Sequence, residues 1–197
     1  MVYFRLRCHG VNNFPGQGGL MICSNHQSNL DPILLGVVCK RFNNFLSKQS
    51  LFNFKPLAWF LKKNDTISID RASGLAGMKQ TLKRLKKAEP VVMFPEGTRS
   101  SDGEMLPLKP GFVTLVKRTK ASVIPIGIAG AFDAWPKGRL IPWPVTIEMV
   151  VGKPITFETS KDMSEDELVQ LLTEGISSCF EEAKAKRAKR IESSIFS

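Results

Sequence analysis

The chain has 197 residues, of which 43% are hydrophobic and 23% are charged, as expected for one globular domain with a sizeable core. The 28 Lys and Arg residues outnumber the 18 Asp and Glu residues, giving a formal net charge of +10. This excess predicts attraction to polyanions such as nucleic acid, an anionic membrane surface or a phosphorylated substrate. The four cysteines form no CxxC pair, which favours a reducing compartment and argues against a disulfide framework or a zinc site.

Apolar runs are too short to cross a membrane. The longest, residues 33–39 and 123–132, fall well below the roughly 20 residues that span a bilayer. The first ten residues contain no signal-peptide apolar region. We therefore expect a cytoplasmic protein whose attachment to a membrane is peripheral.

Strand and helix patterns alternate along the chain, which predicts an α/β fold: a single domain, residues 1–197, with a mixed, mostly parallel central sheet flanked by helices. Strands are predicted at 3–8, 19–24, 43–48, 66–69, 91–94, 122–128 and 145–151. Helices are predicted at about 32–40, 56–62, 74–88, 111–120 and 165–187. Asp31 is the predicted N-cap of the first helix, with Pro32 at its first position. Ser164 and Glu167 form a capping box for the last helix, which is expected to fray into the basic run 184–190.

The sequence "NHQSNLDP" (25–32) holds one of only two histidines in the chain. If Asp31 begins a helix, His26 lies in the preceding loop and its ring can fold back onto the carboxylate. An aspartate that accepts the Nδ1–H leaves Nε2 as a base. The chain has no GxSxG nucleophile motif, so the base would deprotonate a substrate hydroxyl. The alternative is that Asp31 only caps its helix and His26 is a polar loop residue.

The sequence "FPEGTRS" (94–100) follows an apolar strand, and ligand sites of open α/β sheets lie at the carboxyl ends of strands. Gly97 allows close backbone approach, and the Arg99 guanidinium suits a phosphate. Glu96 could hold a polyol hydroxyl or lock Arg99. A turn with a surface Glu–Arg pair is the alternative. "ISIDR" (67–71) places Asp70 and Arg71 just past a strand, which alone favours a surface ion pair. If the two strands are neighbours, Arg71 could converge with Arg99 on one anion.

Two segments mix aromatic and basic residues, residues 51–63 and the loop 131–144. The loop contains Trp135 and Trp143 together with Lys137 and Arg139. Each segment fits either an interfacial surface resting on anionic lipid or ordinary core packing.

Together, "NHQSNLDP", "ISIDR", "FPEGTRS" and "VIPIGI" resemble the four ordered blocks of the glycerolipid acyltransferases, the 1-acylglycerol-3-phosphate acyltransferases and their relatives. The resemblance spans about residues 3–155 and leaves a C-terminal helix and basic tail at about 164–197. It implies a glycerol-3-phosphate acyltransferase-like fold, with His26 as general base and Asp31 as its partner. It also implies that Pro125 is linked to acyl-donor binding. Residues that match the family's acceptor-binding blocks are Arg71, Glu96, Gly97, Thr98 and Arg99.

The resemblance implies transfer of an acyl group from acyl-CoA or acyl-carrier protein to the 2-hydroxyl of lysophosphatidate, giving phosphatidic acid. No metal or other cofactor is implied, and the expected partners are the lysophospholipid, the acyl donor and an anionic membrane surface. Glycerol 3-phosphate or another lysophospholipid remains possible as acceptor. The net charge also leaves open a non-catalytic basic module for lipid or nucleic acid. Against nucleic acid, the basic residues are spread over several elements and no nucleic-acid-binding signature is present.

Overall fold

The computed structural model describes residues 5–39, 46–48, 67–69 and 74–195. The predicted helix at 56–62 and the aromatic segment 51–63 lie outside these residues. Seven strands are described: β1 (Arg5–His9), β2 (Leu20–Ser24), β3 (Leu46–Lys48), β4 (Ile67–Ile69), β5 (Pro90–Met93), β6 (Ser122–Ala129) and β7 (Thr146–Val151). The helices are α1 (Asp31–Val38), α2 (Gly74–Lys86), α3 (Gly111–Thr119), α4 (Ala131–Ala134), α5 (Phe157–Ser160) and α6 (Glu165–Ile195).

The central sheet has the strand order β1-β7-β6-β2-β5. Strand β2 pairs in parallel with β5 and with β6, and β1 pairs in parallel with β7, while β6 and β7 are antiparallel. Strands β3 and β4 form a separate parallel pair. The predicted α/β fold with a mixed, mostly parallel sheet is therefore confirmed.

Helices cover both faces of the sheet, which explains why all five residues of β2 are buried. Alternate residues point to opposite faces. On one face Leu20 and Ile22 pack in a cluster with α1, α4 and Trp135. On the other face Met21 and Cys23 pack in a cluster with α2, α3 and α6. The buried strand places its carboxyl end, and the polar loop that follows, at one edge of the sheet.

The first helix begins differently from the prediction. Leu30 is the N-cap and makes no side-chain capping hydrogen bond, while Asp31 is the first helical residue. The Asp31 carboxylate turns back toward the preceding loop instead of binding the helix's own amides. Tertiary contacts of the loop, which spacing alone does not reveal, thus replace the expected cap.

The last helix is longer than predicted. The capping box at its start is present, because the Glu167 carboxylate accepts the Ser164 N–H at 2.6 Å and the Ser164 hydroxyl accepts the Glu167 N–H at 3.2 Å. The expected fraying of the basic run is wrong, since α6 continues to Ile195. Arg187 donates to the Thr146 carbonyl at 2.9 Å, and Arg190 binds the Glu148 carboxylate at 2.8 Å. These sheet contacts keep the basic end helical.

Close packing of α6 on the sheet depends on a glycine in β6. A Cβ atom added to Gly127 would lie 2.2 Å from the backbone nitrogen of Phe180. Only a residue without a side chain lets the helix approach to this distance. Among the described helices, none is both long and apolar enough to cross a bilayer.

Candidate active site

Three loops meet at one edge of the sheet because β2, β5 and β6 are parallel and their carboxyl ends coincide. The loop 25–30 follows β2, the loop 94–104 follows β5, and α4 follows β6. The His26 carbonyl accepts a hydrogen bond from the Ser100 N–H at 2.8 Å. The Ser28 hydroxyl donates to the Trp135 carbonyl at 2.8 Å. These bonds join the loops into one site.

The expected pairing of His26 with Asp31 is present. His26 Nδ1 lies 2.8 Å from Asp31 Oδ2, with side-chain exposures of 17% and 0%. Because the carboxylate can only accept, Nδ1 carries a proton, and in the neutral imidazole the lone pair is then on Nε2. Nε2 makes no hydrogen bond to any residue in the part of the chain that the structure describes.

Asp31 is held by more than the imidazole. Its Oδ2 also accepts the backbone N–H groups of Gln27 and Ser28, each at 2.7 Å. Its Oδ1 is buried and accepts no hydrogen bond from the described residues. Apart from the imidazole, the described donors to this carboxylate are backbone N–H groups, which carry no net charge. The negative charge of Asp31 is therefore left to interact mainly with the imidazole.

Phe94 fixes the plane of the imidazole. Its ring stacks on His26 with centroids 3.9 Å apart and an interplanar angle of 16°. The stack covers one face of the imidazole and restricts rotation of its side chain. Sequence reasoning gave Phe94 no role, although its position between strand β5 and Pro95 is a visible signal.

Glu96, on the loop 94–104, connects this loop to the loop 25–30 through backbone groups. Its side-chain oxygens accept the His26 N–H at 2.8 Å and the Leu106 N–H at 3.2 Å. The residue is 2% exposed. Burial raises the pKa of Glu96 to about 7, against the lowering effect of the two amide donors and with a smaller contribution from the charge of Asp31. The carboxyl group therefore positions the loop that carries His26.

Gly97 and Thr98 form the exposed tip of this loop. Gly97 has φ 74°, which favours glycine. A Cβ atom added there would lie 2.9 Å from the Lys109 ammonium nitrogen, so a cation that sequence reasoning missed lies beside the turn. Arg99 is half-buried, and its guanidinium donates to the Asn29 side-chain oxygen at 2.7 Å.

Two predicted site residues are not brought to this edge by described contacts. Arg71 lies outside the described residues, and β4, which precedes it, belongs to the smaller sheet and not to the sheet of β5. Pro125 is buried within β6, in register with Cys23. A Cβ atom added to Gly175 would lie 3.1 Å from the Pro125 ring, so that ring packs under α6. Its link to donor binding stays a prediction.

Asn25 also has a role that the sequence did not reveal. Its side-chain amide exchanges two hydrogen bonds with the backbone of Ile128, at 2.8 and 3.0 Å. The side chain thereby continues the pairing of β2 with β6 beyond the end of the strand. This buried contact fixes the position from which His26 leaves the sheet.

Among the described residues, no nucleophilic side chain is hydrogen-bonded to the His26 imidazole. The Ser28 and Ser100 hydroxyls bind Trp135 and Asp102, at 2.8 and 2.7 Å. Burial raises the pKa of the Cys8 thiol to about 12 and of the Cys179 thiol to about 11. None of these groups is hydrogen-bonded to His26, so the described site offers a base without a protein nucleophile. In the same residues no group of three His, Cys, Asp or Glu side chains is placed to hold a metal ion.

The second histidine lies elsewhere. His9 ends β1, and because β1 runs antiparallel to β6, its carboxyl end lies at the opposite edge of the sheet. His9 Nε2 lies 2.8 Å from Glu148 Oε2, and Arg190 binds the other oxygen at 2.8 Å.

The family model described as "Acyltransferase" matches residues 5–129, which is more than half of the chain and includes the loops 25–30 and 94–104. The chain belongs to the acyltransferase family. This assignment confirms the resemblance drawn from the four sequence blocks.

Alignments with related acyltransferases cover most of this chain. It is 28% identical to a 1-acyl-sn-glycerol-3-phosphate acyltransferase from Bacillus subtilis, over 92% of this chain and 89% of the relative. It is 31% identical to a Pseudomonas aeruginosa protein of the same name, over 75% of this chain and 58% of the relative. The crystal structure of the 1-acyl-sn-glycerophosphate (LPA) acyltransferase PlsC from Thermotoga maritima superimposes with a TM-score of 0.79 at 25% identity, covering 93% of this chain and 74% of that one.

Proposed function

We propose that this acyltransferase moves a fatty acyl group from a thioester donor to the 2-hydroxyl of lysophosphatidate, giving phosphatidic acid. The observation that carries the proposal is the pairing of His26 with Asp31. Among the described residues, no protein nucleophile is hydrogen-bonded to His26 Nε2. The names of the related acyltransferases support the choice of acceptor.

The chemistry follows from the geometry of His26. Nε2 removes the proton from the acceptor hydroxyl while that oxygen attacks the thioester carbonyl carbon. The Asp31 carboxylate stabilises the imidazolium that forms. The tetrahedral intermediate then expels the thiol sulfur, which takes the proton from Nε2. One C–O bond forms and one C–S bond breaks, and no acyl-enzyme is needed.

The acceptor phosphate binds at the loop 96–99 in this proposal. Arg99 supplies a guanidinium suited to phosphate, and the Lys109 ammonium beside Gly97 adds charge. Thr98 offers a hydroxyl at the exposed tip, and Arg71 contributes a second guanidinium. Binding energy at the phosphate positions the hydroxyl at His26, which lowers the entropic part of the barrier. Glu96 acts by holding the two loops together.

The acyl donor is acyl-CoA or acyl-carrier protein. Both are acidic, and the net charge of +10 attracts either one. Pro125 keeps its proposed link to donor binding, through the packing of β6. The proposed transfer requires no metal or cofactor.

We place the reaction at the cytoplasmic face of a membrane, to which the chain attaches peripherally. The lysophospholipid acceptor resides in such a membrane, and the basic chain suits an anionic lipid surface. Nucleic acid is not a partner in this proposal.

Release of free thiol from the donor, measured with a panel of acceptors and donors, tests the function. His26→Ala is expected to lower acceptor-dependent release by roughly 10²- to 10⁴-fold, because the general base is lost. His9→Ala serves as the matched control and is expected to turn over at the wild-type rate. Unchanged turnover of His26→Ala would refute the mechanism.

The acceptor panel separates the alternatives. Release that requires lysophosphatidate supports the proposal, whereas release with glycerol 3-phosphate or another lysophospholipid alone assigns the other acceptor. Lipid or DNA binding without thiol release would assign a non-catalytic module. Arg99→Ala is expected to raise the KM for lysophosphatidate more than for an acceptor that lacks phosphate.

A further inference from the structure

The loop 137–143 carries a cluster of exposed apolar side chains. Leu140 is 89% exposed, Ile141 is 72% exposed and Trp143 is 66% exposed. Single exposed apolar residues are common on protein surfaces. Three of them within four consecutive positions form a contiguous patch, and such patches mark interaction sites.

The scaffold holds this loop in place. The Trp143 N–H donates to the Ala134 carbonyl at 2.7 Å. The indole N–H of Trp135, a residue that is 8% exposed, donates to the Arg139 carbonyl at 2.8 Å. The Arg139 guanidinium donates to the Asp133 carbonyl at 2.8 Å. The structure thus separates the two tryptophans, with Trp135 as the buried anchor and Trp143 displayed to solvent.

Charge beside the patch indicates what covers it. Lys137 and Arg139 are exposed and directly precede the apolar residues. The nearby Asp133 carboxylate is paired with Arg187 at 2.6 Å. Apolar side chains, an indole and flanking basic residues are the combination that inserts into the headgroup region of an anionic bilayer. Three exposed side chains are also far fewer than the roughly 20–30 residues that each partner contributes to a specific protein interface.

We infer that the loop 137–143 docks this chain on an anionic lipid surface, with Leu140, Ile141 and Trp143 entering the headgroup region. The loop follows α4, at the sheet edge that carries the site, and Trp135 is bonded to Ser28 of the His26 loop. Docking here brings the catalytic edge to the bilayer. This consequence for catalysis rests on the proposed function, whereas the docking itself does not.

Partitioning of the full chain onto vesicles of phosphatidylcholine with phosphatidylglycerol tests the apolar contacts. The triple variant Leu140→Ser, Ile141→Ser, Trp143→Ser is expected to partition roughly tenfold more weakly or worse, because most of the inserted apolar surface is lost. The matched control is Val37→Ser with Ile191→Ser, two other exposed apolar residues, at 53% and 39% exposure. This control is expected to partition like the wild type. Wild-type partitioning of the triple variant would overturn the inference.

Charge reversal tests whether binding depends on the negative charge of the lipid. Lys137→Glu with Arg139→Glu is expected to weaken binding to the anionic vesicles by roughly tenfold or more. Lys153→Glu with Lys189→Glu makes the same change in net charge at other exposed positions and is expected to have a smaller effect. Equal losses in the two pairs would overturn the assignment of the loop, since net charge alone would then explain binding.

Three further readouts distinguish a lipid partner from a protein partner and separate docking from catalysis. Brominated lipids are expected to quench tryptophan fluorescence in the wild type but less in Trp143→Phe, and equal quenching would contradict insertion.

Sedimentation showing that the triple substitution only dissociates a dimer would assign the patch to a second copy of this chain. With lysophosphatidate dissolved as monomers the triple variant is expected to keep wild-type thiol release, while release with vesicle-borne acceptor falls. Absence of lysophosphatidate-dependent thiol release in the wild type would refute the proposed function and leave the vesicle result standing.

Discussion

The two histidines of this chain are both paired with a buried carboxylate at 2.8 Å, yet they differ in every other respect. Oδ2 of Asp31, the partner of His26, is otherwise bound by neutral backbone N–H groups. Glu148, the partner of His9, is also bound by the Arg190 guanidinium.

Position separates the pairs as well. His26 lies where three parallel strands end, next to the loop that carries Arg99, whereas His9 ends an edge strand on the opposite side of the sheet. A cation that already compensates the carboxylate leaves less attraction for an imidazolium. The histidine–carboxylate distance alone therefore does not distinguish the two pairs, whereas the other ligands of each carboxylate do.

The largest predicted effect is that of Asp31→Asn. The amide oxygen can accept the three hydrogen bonds of Oδ2, and the amide nitrogen can occupy the place of Oδ1, which has no described partner. The loop geometry is then kept while the charge is lost. We expect thiol release to fall by roughly 10²- to 10⁴-fold, because the imidazolium is no longer stabilised.

The matched control for this comparison is Glu148→Gln. It leaves Arg190 beside a neutral amide, which we expect to lower the free energy of unfolding by roughly 1–3 kcal/mol without changing thiol release by the folded protein. Urea unfolding and turnover measured on both variants separate the two pairs. Loss of turnover in Glu148→Gln, or wild-type turnover in Asp31→Asn, would contradict the distinction between the His26–Asp31 and His9–Glu148 pairs.

A smaller effect is predicted for the pH dependence of stability at Glu96. The pKa of this carboxyl is raised from 4.5 to about 7 in the folded chain. The folded state therefore binds more protons between these values. Its stabilising contribution is complete below about pH 4.5 and is lost as the pH rises through about 7.

Urea unfolding of the wild type and Glu96→Gln at pH 5 and pH 8 measures this contribution. We expect the wild type to lose on the order of 2 kcal/mol more than the variant over this range. Parallel pH profiles for wild type and Glu96→Gln would contradict the assignment.

The smallest effect is predicted for His9→Gln. The side chain of His9 is 35% exposed, and glutamine can still donate to Glu148. We expect the free energy of unfolding to change by less than about 1 kcal/mol, as for other partly exposed pairs. Thiol release is expected to be that of the wild type. A large loss of turnover would give His9 a role like that of His26.

Much of the fold and of the site could be predicted from the sequence because the signals are local. The apolar run before "NHQSNLDP" and the apolar strand before "FPEGTRS" predicted strands, and both are present. The first helix was predicted to start one residue late, because Asp31, the expected N-cap, is its first helical residue and binds the preceding loop. The basic end of α6 was wrongly predicted to fray. The contacts with Thr146 and Glu148 that keep it helical join residues about 40 positions apart, so no local pattern reveals them.

By itself the sequence determined the order of strands and helices, the His26–Asp31 pairing and the membership of the family. The first two depend on patterns within short segments, and the third depends on four such segments in a fixed order. Tertiary structure decided which polar residues became partners. Phe94 stacks on His26, Glu96 binds its backbone, and Lys109 lies beside Gly97. It also distinguished buried Trp135 from exposed Trp143. These contacts arise only when parallel strands bring distant loops to one edge, and no local pattern encodes that distance.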